Sequence, residues 1–142
     1  MNYIIKEKVQ FMQVREATDI KLMSPGKVYE FMQAETKIDR ECAWVLHFNT
    51  KLQLIQKELV SMGTLDFTPL HPREVFKKAI LNGSDSIMIV HNHPSEDLTP
   101  SDSDLRIAER LKQAGDILGI EVRDFIVIST KGFCSFKEEG II

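Results

Sequence analysis

The stretch VHNHPSEDLTPSDSD, Val90 to Asp104, holds most of the metal-binding chemistry of the 142-residue chain. His91 and His93 stand two apart, so on an extended strand their imidazoles leave the same face and can meet one cation while Asn92 points away. Pro94 cannot donate to a sheet ladder and predicts the end of that strand. Pro100-Ser101 and the run beginning at Asp104 read as a loop entering a helix, which returns the Asp104 carboxylate over the strand end as a third ligand. Two neutral nitrogens, one carboxylate oxygen and an open fourth position are the ligand set of a catalytic rather than a structural zinc site. Ser101-x-x-Asp104 before an apolar run is also a capping box with its acid at the positive helix end, a reading that competes for Asp104.

Outward from this stretch, Ser86 to His91 is a continuous apolar run and predicts a central strand buried on both faces. Ser101 to Leu118 predicts the longest helix, with Ile107, Leu111, Ala114 and Leu118 inward and Gly119 as its stop. Ile120–Ser129 and Phe133–Phe136 read as strands joined by the turn Thr130-Lys131-Gly132. Upstream, Pro72 opens a helix with the apolar stripe Val75, Phe76, Ala79 and Ile80 and an Asn82-Gly83 cap. Met62 to Pro72 is a loop. Cys42–Phe48 and Leu52–Val60 form a hairpin around Asn49-Thr50-Lys51, and period two puts Leu52, Leu54, Glu58 and Val60 on one face. Ser24-Pro25 caps a helix over Pro25–Glu35. Tyr3–Val14 predicts a strand, so residues 1–19 read as an extension of the domain that spans 20–142.

The length suits one domain with a core of its own. Eighteen Lys and Arg against 21 Asp and Glu give a net charge of −3, so no overall field draws the chain to nucleic acid. Cys42 and Cys134 lie far apart without a CxxC, so neither a disulfide framework nor a thiolate zinc knot is indicated. No apolar run reaches the length of a signal peptide or a membrane span, and the expectation is a cytoplasmic protein with no membrane partner.

His91-x-His93, seven residues, Ser101, two residues and Asp104 resemble the signature of the JAMM (MPN+) metallopeptidases. With Gly63-Thr64 and His71-Pro72-Arg73-Glu74 upstream, the chain is similar to the RadC-like branch over Ile20 to Phe136. The resemblance implies a single α/β domain with a mixed sheet between helices, cytidine-deaminase-like in its layering. It also implies one Zn²⁺ on His91, His93 and Asp104, and hydrolysis of a peptide or isopeptide bond in a peptide or protein substrate. Under it Glu58, which precedes Gly63-Thr64, becomes the general base that takes a proton from the attacking water; Glu41 and Glu74 are its rivals. Ser101 would help hold the oxyanion, and His71 and Arg73 would face substrate or merely open a helix. His47, alone in an apolar strand, reads as structural.

Two positions depart from the family pattern: Glu96 replaces the glycine after HNHPS, and Phe125 replaces the histidine after Asp124. A DNA-repair or nucleic-acid-associated role, as the RadC name suggests, is the main rival function. The N-terminal helix-hairpin-helix-like segment that would support it is not legible in residues 1–19, and strong nucleic-acid binding is not expected of this chain. A zinc deaminase would need His-x-Glu and a later Cys-x-x-Cys, and neither occurs. A metal-free binding module would lack the ligands that are intact here.

Overall fold

Two runs of seven residues, Cys42–Phe48 and Ser86–Asn92, are buried along their whole length, which requires cover on both faces of the sheet that holds them. The computed structural model describes residues 15–63 and 70–142; the strand expected over Tyr3–Val14 and the middle of the 62–72 loop lie outside these. The described chain runs α1 (Pro25–Phe31), a 3-10 turn (Gln33–Lys37), β1 (Cys42–Phe48), β2 (Leu54–Met62), α2 (Pro72–Leu81), β3 (Ser86–Asn92), α3 (Asp102–Leu118), β4 (Glu121–Ser129) and β5 (Gly132–Ser135). It is a small α/β domain around one mixed sheet of order β2-β1-β3-β4-β5. The β3–β4 pair is parallel and the others are antiparallel. The parallel pair needs a long crossover, and α3 supplies it.

Strand alternation sorts the core into two layers. Ala43, Val45, Ile87, Ile89 and Val127 pack with Phe76 and Leu111 on the α2/α3 side. Trp44, Leu46, Met88, Val90, Ile126 and Ile128 pack with Val28 and Met32 of the α1 side. By the same alternation His91 follows Ile87 and Ile89 and faces α3.

Local signals set most element ends. Ser24 caps α1, its Oγ accepting the Lys27 N–H at 3.3 Å, with Pro25 in the first helical position. The α-helix stops at Phe31 rather than Glu35, and the chain tightens into the 3-10 turn. Asn49 Oδ1 accepts the N–H groups of Lys51 and Gln53, each at 3.0 Å, and shapes the β1–β2 turn. Gly119 ends α3 at φ 72°, a conformation glycine adopts without strain.

Three expectations about facing residues are corrected. The β1–β2 register slips between Ala43/Trp44 and between His47/Phe48, which places extra residues on β2. Leu54 therefore packs in the α1-side core, whereas Glu58 stands opposite Val45 on the other face. Ile80 and Leu118 lie at the ends of their helices, beyond the sheet's cover, and are 54% and 48% exposed. Leu111 is buried and Ile107 and Ala114 pack partly buried against the core as expected, and the fully buried stripe of α3 is Asp104, Ala108, Leu111 and Gly115, a helical i, i+4, i+7, i+11 row.

Gly115 yields a prediction of sign. An interior helical Gly→Ala change ordinarily gains about 1 kcal/mol. Here an added Cβ would collide with the Ile120 carbonyl oxygen and crowd Val122 and Phe76. Gly115→Ala is therefore expected to destabilise by about 1–3 kcal/mol in denaturant unfolding. Unchanged or raised stability would show that α3 does not pack this tightly on β4.

Candidate metal centre

His91 occupies the last turn of the pleat before β3 ends, opposite Ala43 of β1. His93 follows the strand and still joins the sheet, its N–H donating to the Ile128 carbonyl at 2.9 Å. Between them Asn92 points the other way. Its Oδ1 accepts the Cys42 N–H at 2.6 Å, and its Nδ2 donates to the carbonyls of Ile38 and Arg40. This side chain thereby ties the segment that carries Glu41 to the strand that carries the histidines. Sequence reasoning assigned Asn92 no role, because a residue pointing away from a ligand pair carries no signal of what it holds.

Asp104 caps α3 and also lies against both histidines. Its N–H donates to Ser101 Oγ and its Oδ2 accepts the Ser101 N–H, each at 3.0 Å, which completes the capping box of α3. The same carboxylate reaches both imidazoles, with Oδ1 at 3.0 Å from His91 Nδ1 and Oδ2 at 3.1 Å from His93 Nε2. The three side chains are buried, at 6%, 8% and 3% exposure.

Proton accounting shows what this cluster lacks. His93 Nδ1 lies 2.7 Å from the Asp97 carbonyl, which only accepts, so Nδ1 carries the proton and the neutral ring leaves a lone pair on Nε2. That lone pair faces a carboxylate oxygen, an arrangement that is favourable only with a cation or a second proton between them. His91 donates from Nδ1 to Asp104, and its Nε2 is buried without a hydrogen-bond partner among the described residues, 3.6 Å from Glu41 Oε2. An orphaned buried nitrogen of this kind is costly unless something binds it. Protons are one answer. Burial presses the His91 imidazolium down, but Asp104 and Glu41 outweigh it and raise its pKa to about 9. His93 is also raised, with burial overcome by Asp104 and the Asp97 carbonyl. Burial likewise opposes the Asp104 charge, and the two histidines hold its carboxyl well below the usual carboxylate range. A divalent cation meets the same demand without protonating the rings, and the donor set fits one.

These groups line a cleft of about 210 Å³ whose walls include Glu41, Ser101, Leu70 and Phe125. Ligand atoms of Glu41, His91 and His93 all lie within 4.8 Å of one another, so Glu41 forms a candidate metal-holding triad with the histidines, while Asp104 meets His91 at Nδ1. Asp104 is the nearer acid to both rings. Phe125 is almost fully buried, stacks at 4.8 Å on Phe136 and meets the His91 ring edge-on at 6.4 Å. The departure at this position thus forms an apolar wall against a histidine of the cluster.

Glu58 is not part of the cleft. Its Oε1 sits 3.1 Å from His47 Nε2, and it lies one strand further out, opposite Val45, whereas His91 pairs with Ala43. The expectation that Glu58 serves this site is not met by its position: its rival Glu41 is the upstream acid brought beside the histidines, because proximity along the chain to Gly63-Thr64 does not measure distance across the sheet. His71 caps α2 without a side-chain hydrogen bond, and Arg73 borders a separate apolar groove with Phe76, Ile80 and Leu118; neither lines the cleft. Glu74 lies in the exposed first turn of α2.

The model of the RadC-like JAB domain matches residues 22–141. The chain belongs to this family. A UPF0758 protein of Chlorobium chlorochromatii is 45% identical over 123 residues, 86% of this chain and 55% of that protein. Another from Thermotoga maritima is 45% identical over 120 residues, 84% of this chain and 54% of its own length. One from Methanosarcina acetivorans is 40% identical over 123 residues. The RadC-like chain therefore spans about half the length of these curated relatives. No helix among its described residues is long and apolar enough to cross a membrane.

The His47–Glu58 pair of this RadC-like domain makes a separate prediction. His47 is fully buried, and burial lowers its pKa despite Glu58, with Lys78 and Arg15 adding to the fall. The folded state therefore resists a proton that the unfolded state accepts near pH 6.5. Stability from this group is complete above that pH and is lost as pH falls through it towards the lower folded pKa. Chemical denaturation of wild type and His47→Gln between pH 5 and 8 (a window set by that reference value) should show a steeper acid loss in the wild type. Parallel curves would remove His47 from the acid response.

Proposed function

We propose that this chain is a divalent-metal-dependent hydrolase of amide bonds, a peptidase or isopeptidase, with zinc as the ion suited to two imidazoles and a carboxylate. The observation that carries the reading is the buried His91 Nε2, which has no hydrogen-bond partner among the described residues and faces Glu41 in an open cleft that also holds His93 and Asp104. His91, His93 and Asp104 would hold the ion, which when bound supplies Lewis acidity to a carbonyl and acidifies water. Glu41 would accept the proton of the attacking water and return it to the leaving amine. Glu41 suits this role because its carboxylate reaches the cluster without being tied to a helix cap. The Ser101 hydroxyl accepts from the Asp104 N–H, which leaves its own proton to donate to the oxygen that gains charge. Leu70 and Phe125 exclude water from one side of the cleft, which strengthens these interactions. The substrate in this reading is a peptide or protein. Membership of the RadC-like JAB family supports the metal-dependent chemistry.

Purified protein should carry about one zinc per chain, as a single three-ligand catalytic site requires. His91→Ala and Asp104→Ala should lose it by elemental analysis. Glu41→Gln should keep the metal and lower hydrolysis of a peptide that the wild type cuts by about 10²- to 10⁴-fold. Glu58→Gln should alter neither. If Glu41→Gln strips the metal, Glu41 is a ligand and Asp104 a helix cap. Full metal content in the His91 and Asp104 variants would end the proposed site.

A further inference from the structure

Glu96 adopts φ 67°, a backbone region that side chains other than glycine, asparagine and aspartate rarely enter. It does so on a loop that is only partly exposed. What holds it is polar. Its N–H donates to the His93 carbonyl at 3.0 Å, closing a tight turn. Its carboxylate accepts the Thr130 hydroxyl at 2.5 Å, from the turn between β4 and β5. Two residues on, Leu98 packs against the α2/α3 core and rests beside Gly132 of the same hairpin. The residue between these two anchors is Asp97, whose carbonyl receives the His93 Nδ1 proton.

We propose that Glu96 is a positioning residue for the metal centre, latched to Thr130 so that the Asp97 carbonyl fixes the ring and tautomer of His93. The inference rests on the metal-site reading above. Groups that orient a metal-bound histidine typically change affinity by about 10- to 100-fold when removed. Glu96 acts one step further out, through the loop, so its effect lies near the lower end. Its sign pattern differs from that of a merely structural residue. Glycine at this position removes the backbone strain but also the latch, so stability and metal affinity should move in opposite directions.

The test uses the full chain, with Zn²⁺ affinity measured by competition against a chelator and Co²⁺ absorption reporting ligand geometry. Glu96→Gly and Thr130→Val should each weaken Zn²⁺ binding by about tenfold, the lower end of the range for such partners, and perturb the Co²⁺ spectrum. The metal-free melting temperature of Glu96→Gly should be unchanged or higher. Glu96→Gln keeps an acceptor for Thr130 and should stay close to wild type. The Glu96→Gly/Thr130→Val pair should be no weaker than either single variant, because both break one contact. Wild-type affinity in both single variants, or a double variant that sums their losses, overturns the latch. A wild type that binds neither ion overturns the metal-site reading and the latch with it.

Discussion

The Asp104 carboxylate is the interaction on which the site depends. One side chain closes the N-terminus of α3, accepts the Ser101 N–H and meets two imidazoles from β3 and the residue after it. Burying an acid there is unfavourable unless each oxygen is matched, and the positive helix end together with the histidines supplies the match. The contacts to the two rings also tie the start of α3 to the end of β3, because turning the helix would withdraw the carboxylate from them.

The sheet order explains why the cluster forms where it does. β3 lies between β1 and β4, so its carboxyl end opens beneath α3 and beside the segment that leads into β1. In α/β sheets, sites gather at the carboxyl ends of parallel strands because chain crossovers leave a crevice there. Glu41 reaches this crevice from an antiparallel neighbour, held by the hydrogen bonds of Asn92. Its counterpart on β2, Glu58, is one strand too far out and pairs with His47 instead.

The cleft is a polar cluster with one apolar side. Phe125 and Leu70 place apolar surface beside the charged and polar groups of the cluster, where a lower local dielectric strengthens their interactions. The two departures from the family pattern both bear on it: Phe125 touches the His91 ring, and Glu96 ties the loop that carries the Asp97 carbonyl to a neighbouring hairpin. Both lie at the boundary between scaffold and site, where a substitution changes how a histidine is held without changing which atoms it offers.

The order of elements, the buried character of Ser86–Asn92, the cap at Ser101 and the histidine pair were all legible in the chain. Each follows from local rules: alternation along a strand, turn chemistry, and the capping of free N–H groups. Choosing among Glu41, Glu58 and Glu74 was beyond those rules. All three lie upstream with ordinary local surroundings, and their distances from His91 depend on strand order and on register slips that no short pattern encodes. The outward faces of Ile80 and Leu118 were hidden for a related reason, since helical periodicity marks a face but not how far the sheet beneath it extends. The sequence by itself determined which chemistry was available and on which elements it sits. Tertiary structure decided which upstream acid comes beside His91, because that approach joins residues about fifty positions apart through hydrogen bonds across the sheet.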